Sequence, residues 1–250
     1  GSRGHHHRPK GAMATMPQLF SQSRNFHAPC TLPHSAFSPK AYTGQTSTPF
    51  CTQYLMKPAR FLMYTRSAPP PDVKLVDLGT AFYVTHQQAH DIQTREYRCP
   101  EAIVGAWPYA HSADVWSLGC LVFELLTGET LFDPQSPRPG EPFSKDESHL
   151  AQAVELLGPM PAELVRRSPR AARWFRGDGS ALRNIAIAPP PPGVDAIARV
   201  LEENFAFARR DARDAADFLR ALLRYEPDAR VSARRALDLP WLADGGDLVL

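Results

Sequence analysis

At 250 residues, with a hydrophobic fraction of 43% and a formal charge of +2, the chain can hold one large domain or two small ones. It is too near neutral to argue for nucleic acid or an anionic membrane as partner. No apolar run reaches the roughly 18 residues of a membrane span, and the N-terminus lacks the charged-then-apolar pattern of a secretory signal. The four cysteines, Cys30, Cys51, Cys99 and Cys120, show neither metal-ligand spacing nor a disulfide framework, so a reducing intracellular setting is expected.

Residues 1–50 are rich in Pro, Ser, Thr, Gly and His without a sustained period, and are expected to be disordered. His5, His6 and His7 read as part of a solvated tail rather than a metal site. Folded character begins at residues 53–63, QYLMKPARFLM. After Pro69, Pro70 and Pro71, the β-branched run 73–76 predicts a strand ending at Asp77-Leu78-Gly79, with a short second strand over 80–84. Ser112, Ala113 and Asp114 open a strongly apolar helix over 115–126, closed by Gly128 and expected to be central. Residues 147–157 predict a helix with Leu150, Val154 and Leu157 on one face and Gly158 as stop. Ile197, Val200, Leu201 and Phe205 mark an amphipathic helix over 194–205. Ala215, Phe218, Leu219 and Leu222 mark another over 211–225. Ser232 is placed to cap a last helix ending near Leu237. The basic run 166–176, RRSPRAARWFR, is read as a solvated helix face rather than a nucleic-acid contact.

Three motifs follow in order: Asp77-Leu78-Gly79, the run 94–101 (TREYRCPE), and the run 114–120 (DVWSLGC). Together they resemble the C-lobe of a eukaryotic protein kinase. The finer likeness is to the SR-protein kinases, the serine/threonine kinases of splicing factors. It lies in DLG in place of DFG, DIQTREYRCPE, SKDESHLAQAVELLG and WFRGDGSALRNI. The resemblance implies a mostly α fold, a kinase-like C-lobe over 51–243 with one or two short strands. The activation segment would be 77–101, a docking insert 129–158, and residues 244–250 a tail.

What the resemblance implies residue by residue follows phosphoryl-transfer chemistry. Asp77 is the metal-binding carboxylate, with Gly79 beside the cofactor; a turn or helix-capping aspartate is the alternative. Lys57 and Thr94 are catalytic-loop and activation-segment residues next to the reacting groups. Glu101 pairs with Arg230, and Asp114 anchors the catalytic loop; a dipole-favoured helix acid is an equal reading of Asp114. Arg95 and Arg98 line the pocket for the residue after the phosphosite, or form a solvated basic patch. Glu129, Glu141, Asp146 and Glu155 form an acidic groove for arginine-rich segments, or are plain surface acids. Ser148 stands where the family has an acid, which weakens the groove.

Other parts of a working kinase are missing from these 250 residues. There is no G-x-G-x-x-G, and no V-A-I-K-like lysine before Asp77, so an N-lobe is expected to be absent. QYLMKPARFLM aligns with the family's H-T-D-x-K-P-x-N-x-L, which puts Gln53, Leu55 and Arg60 at the histidine, the catalytic aspartate and the metal-binding asparagine. The resemblance implies ATP and Mg²⁺ as cofactors and Arg-Ser-rich splicing factors as partners, with binding of ATP by this chain in doubt. The expectation is an impaired serine/threonine kinase homologue, monomeric, without nucleic-acid or membrane partners, in cytoplasm and nucleus. A pseudokinase that docks arginine-rich peptides, or a piece of an active kinase, stays open beside it.

Overall fold

The computed structural model describes residues 14–15, 73–85, 91–106, 108–177, 179 and 181–243. The catalytic-loop-like stretch 53–63 with Gln53, Leu55, Lys57 and Arg60 lies outside the described residues, as do residues 244–250 and most of 1–50. Among the described residues the fold is helical: α1 Pro100–Val104, α2 Ser112–Thr127, α3 Lys145–Leu157, α4 Ala162–Arg167, α5 Ala196–Phe205, α6 Arg209–Leu222, α7 Ala233–Ala236 and α8 Pro240–Ala243. Two strands of two residues, β1 Ala14–Thr15 and β2 Ile185–Ala186, pair in parallel. Strand β1 falls inside the stretch 1–50 expected to be disordered, and its partner β2 lies in the helical part of the chain.

Helix α2 is the centre. Its apolar length forms a helix because Gly128 ends it cleanly: φ is 78° there, and its N–H donates to the Glu124 carbonyl at 2.7 Å. The start differs from the expectation. His111, not Ser112, is the N-cap, and no side chain caps the helix; Asp114 in the first turn offsets the dipole instead. Trp116, Cys120, Phe123 and Leu126 are buried. Trp116 stacks on Phe132 at 5.9 Å and Phe123 meets the edge of Phe205 at 5.7 Å. The other face of α2 is less covered: Leu118, Leu121 and Leu125 are 38%, 43% and 62% exposed.

Helix α3 starts earlier than predicted because the Ser144 hydroxyl accepts from the Glu147 N–H at 3.1 Å. Its buried face is Leu150, Ala153 and Leu156, whereas Val154 and Leu157 are only half-buried. The phase is shifted because Glu147, Ser148, His149 and Gln152 are buried as well. Helix α5 is capped by Asp195, which accepts from the Ala198 N–H at 3.2 Å, and it packs on α6 through Ile197, Val200 and Leu201. Ala215, Phe218, Leu219 and Leu222 of α6 are all buried, as their spacing requires. Ser232 caps α7 through the Arg235 N–H.

The strands expected at 73–76 and 80–84 are not formed. A single 3₁₀ turn, Leu78–Thr80, interrupts irregular chain, and Val73, Leu75 and Val76 are 77–90% exposed. A β-branched run becomes a strand only when a neighbouring strand takes up its backbone groups, and no described segment pairs with this one.

Where α2 crosses the end of α6, Gly119 leaves no room. A Cβ there would lie 2.8 Å from the Leu223 side chain and 3.2 Å from the Leu222 Cβ. Gly119→Ala should therefore destabilise by about 1–3 kcal/mol through overpacking, against a helix-propensity gain of about 1 kcal/mol. Urea denaturation measures the net loss; an unchanged or raised midpoint would contradict the close approach.

Candidate functional site

The end of the activation-segment-like run is tied down by a buried ion pair. Pro100 suits the first turn of α1, its fixed φ and missing N–H costing nothing there, and this sets Glu101 facing inward. Arg230 Nη1 donates to Glu101 Oε1 at 2.7 Å and Nη2 to Oε2 at 2.9 Å, a bidentate pair with both side chains buried. The remaining Arg230 donors reach the carbonyls of Ser112 at 2.7 Å, Arg224 at 2.8 Å and Tyr225 at 3.4 Å. The guanidinium also lies 5.2 Å from the centre of the Trp116 ring.

Upstream, the segment is held by a residue that the sequence pattern did not single out. Gln93, at φ 66°, donates through Nε2 to the Ala113 carbonyl and to Ser117 Oγ, both at 2.7 Å, while its Oε1 accepts from the Cys99 N–H at 2.9 Å. Its backbone carbonyl accepts from Arg98 Nη2 at 3.0 Å. Ser117 Oγ in turn donates to the Tyr97 carbonyl at 2.9 Å. The Tyr97 hydroxyl donates to Glu124 at 2.5 Å, and that carboxylate, helped by burial, pushes the phenol up to about 12. The turn 95–97 is thereby stitched to α2. A glutamine carries no period or charge signal, so only its place beside Thr94 and Arg95 could have drawn attention to it.

The charged residues assigned to docking are distributed unevenly. Arg95 forms an ion pair with Asp146 of α3, both about 30% exposed. Arg98 Nε is buried without an acceptor. Asp91 pairs with Arg170 at 3.1 Å, and that hydrogen bond holds its carboxyl below the usual carboxylate range. Glu141 Oε2 accepts from the Arg138 N–H at 2.7 Å, closing a turn of its own. Glu129 and Glu155 are half-buried. Ser148 does not line a groove: it is fully buried, and its hydroxyl accepts from the Gln135 N–H at 3.0 Å. The most buried carboxylate of the insert is Glu147, which accepts from the Asn184 backbone and side chain at 2.7 and 2.8 Å and so pins the chain just before β2 to α3.

Asp77 and Gly79 are exposed, Asp77 in the left-handed region at φ 59°, and Thr94 is exposed at the head of the turn 95–97. Asp114 is exposed in the first turn of α2, a position that suits the dipole. The donor set does not fit Mg²⁺. The ion needs near-octahedral oxygen ligands, and among the described residues Asp77 belongs to no group of three or more His, Cys, Asp or Glu side chains that could hold it. A cavity of about 390 Å³ opens elsewhere, among Leu157, Pro161, Val194, Arg220 and Arg224, and contains none of the residues assigned to the site.

Two outcomes test this geometry. Removing one partner of the Glu101–Arg230 pair leaves a buried charge unanswered, so Glu101→Ala and Arg230→Ala should each cost about 3–5 kcal/mol, and the double variant less than their sum. Calorimetric or denaturant midpoints give the cycle; additive losses would mean that the pair is not coupled. His149 is buried against Phe132 with both ring nitrogens unpartnered. Burial first, then Arg95 and Arg98, push its imidazole down to about 3. The unfolded imidazole protonates near 6.5 while the folded one does not. Its contribution is therefore complete above about pH 6.5 and falls by up to about 1.4 kcal/mol per unit below that. His149→Phe should flatten the stability–pH profile between about pH 6.5 and 4.5 relative to the parent, read by urea titration at each pH.

The protein kinase domain family matches residues 56–242. The chain is 40% identical over 172 residues to the serine/threonine-protein kinase SKY1 of Saccharomyces cerevisiae, covering 69% of this chain and 22% of that protein. It is 39% identical over 174 residues to the serine/threonine-protein kinase SRPK of Physarum polycephalum, covering 70% and 39%. It is 38% identical over 197 residues to SRSF protein kinase 3 of Mus musculus, covering 78% and 33%. The aligned part thus spans less than two fifths of each of these relatives. The buried glutamate–arginine lock, the stitched activation-type segment and these likenesses agree: the chain belongs to the protein kinase family, in its SR-protein kinase branch.

Proposed function

We propose that this chain is the substrate-docking, helical part of an SR-protein-kinase-type serine/threonine kinase, and that taken alone it is impaired in phosphoryl transfer. The family reaction is ATP-dependent phosphorylation of serines in Arg-Ser-rich proteins such as splicing factors, a setting of cytoplasm and nucleus. The observation that carries the reading is the Glu101–Arg230 lock with the Gln93 network, which orders the segment where a substrate chain would lie. Catalytic impairment rests on residue chemistry. A leucine at position 55 cannot orient or deprotonate a serine hydroxyl, and an arginine at position 60 would repel the metal. Losing both groups is worth several orders of magnitude in rate.

A second reading is favoured by the same order. A chain that keeps the docking face without the catalytic acid works as a binding module for arginine-rich peptides. Asp146, Glu129 and Glu155 supply its partly accessible carboxylates. Both readings take the chain as monomeric, with neither nucleic acid nor membrane as partner.

The purified 250-residue chain, given Mg–ATP and an (Arg-Ser)₄ peptide, should transfer no phosphate above background. It should bind the peptide with an affinity that falls as salt rises from about 50 to 300 mM. Radiolabel transfer abolished by Asp77→Ala would overturn the impairment. Calorimetry showing no salt-sensitive binding would overturn docking.

A further inference from the structure

By resemblance, the two ends of one half-buried ion pair would meet opposite charges of a bound peptide. Arg95 belongs to the turn 95–97 and Asp146 to the first turn of α3, 51 residues away. By resemblance Arg95 would meet an anionic group, and Asp146 a guanidinium. Here they answer each other, and each remains about 30% exposed, so both can be reached from solvent. Such a pair is weak enough for a ligand to open.

Opening it has unequal consequences. A peptide bringing only arginine takes Asp146 and leaves Arg95 without its carboxylate. Arg95 then stands near Arg98, whose Nε is already buried without an acceptor, and near His149, whose two ring nitrogens are likewise unpartnered. Donors left without acceptors in a half-buried place are costly. Asp91 cannot step in freely, because Arg170 engages it. A peptide bringing arginine together with a carboxylate or phosphate exchanges one internal pair for two intermolecular ones and supplies the missing acceptor.

We propose that the Arg95–Asp146 pair is a gate that makes docking selective for peptides carrying a guanidinium and an anion side by side, over peptides carrying arginine alone. This rests on the docking reading above. Removing Arg95 would relieve its repulsion of a purely cationic peptide in any case; the gate predicts in addition that the gain comes from the release of Asp146 and is lost when Asp146 is removed.

The test is isothermal titration of the full 250-residue chain with (Arg-Ser)₄ and (Arg-Glu)₄ peptides. The parent should bind (Arg-Glu)₄ more tightly. Arg95→Gln should improve (Arg-Ser)₄ binding by about fivefold, the worth of a solvent-accessible ion pair, and lose the preference for (Arg-Glu)₄. In the Arg95→Gln, Asp146→Asn double variant the gain should vanish, and Arg95→Lys, which keeps the charge, should stay gated. Binding of both peptides that is equal in the parent, or that Arg95→Gln leaves unchanged or weakens, overturns the gate while docking stands. No binding of either peptide by any of these proteins overturns the docking reading and the gate with it.

Discussion

Much of the described structure hangs on Arg230. A guanidinium offers five N–H donors, and here all five find acceptors: two on Glu101 and one each on the carbonyls of Ser112, Arg224 and Tyr225. Burying such a charge would be prohibitive if any of these were missing, because the desolvation of both ions is offset only by complete pairing. The demand reaches across 129 residues of sequence. It fixes the end of the activation-type segment, the start of α2 and the chain after α6 relative to one another. Trp116 beneath the guanidinium extends the same constraint into the core, through its stack on Phe132 and its contact with Tyr225.

Part of this is readable in the pattern of the chain alone. The faces of α5 and α6 follow from apolar spacing alone, because each covers one side of a packed pair and leaves the other to solvent. The Glu101–Arg230 pairing was legible only through resemblance, since nothing in local pattern joins residues so far apart. What could not be read has physical reasons too. Glu147, Ser148 and Gln152 look like surface residues in a string, yet each is buried because a backbone segment needs its oxygen: Asn184 for Glu147, Gln135 for Ser148, Asp133 for Gln152. Burial of that kind is decided by what arrives from elsewhere in the chain. The run 73–76 erred in the opposite direction, having the composition of a strand but no described partner.

The insert shows why a count of carboxylates is a poor guide to a docking groove. Glu141 is used within its own turn, Glu147 is committed to Asn184, and Asp146 is held by Arg95. Acids that looked equivalent in sequence therefore differ in availability. Availability, not formal charge, sets what a guanidinium ligand can gain, since each existing bond must be replaced at comparable strength.

Helix α2 has two apolar faces with different fates. One carries Trp116, Cys120 and Phe123 and is buried under the anchor of Arg230 and the aromatic stack. The other carries Leu118, Leu121 and Leu125 at a spacing of three and four residues, and it stands substantially exposed. A helix apolar all round gains its full stabilisation only when both faces are covered, at roughly 25 cal/mol for each Å² removed from water. The leucine face takes no part in the ion-pair lock or in the Gln93 and Ser117 bonds to the activation-type segment. Order in the segment 93–101 is therefore set independently of what covers the leucines.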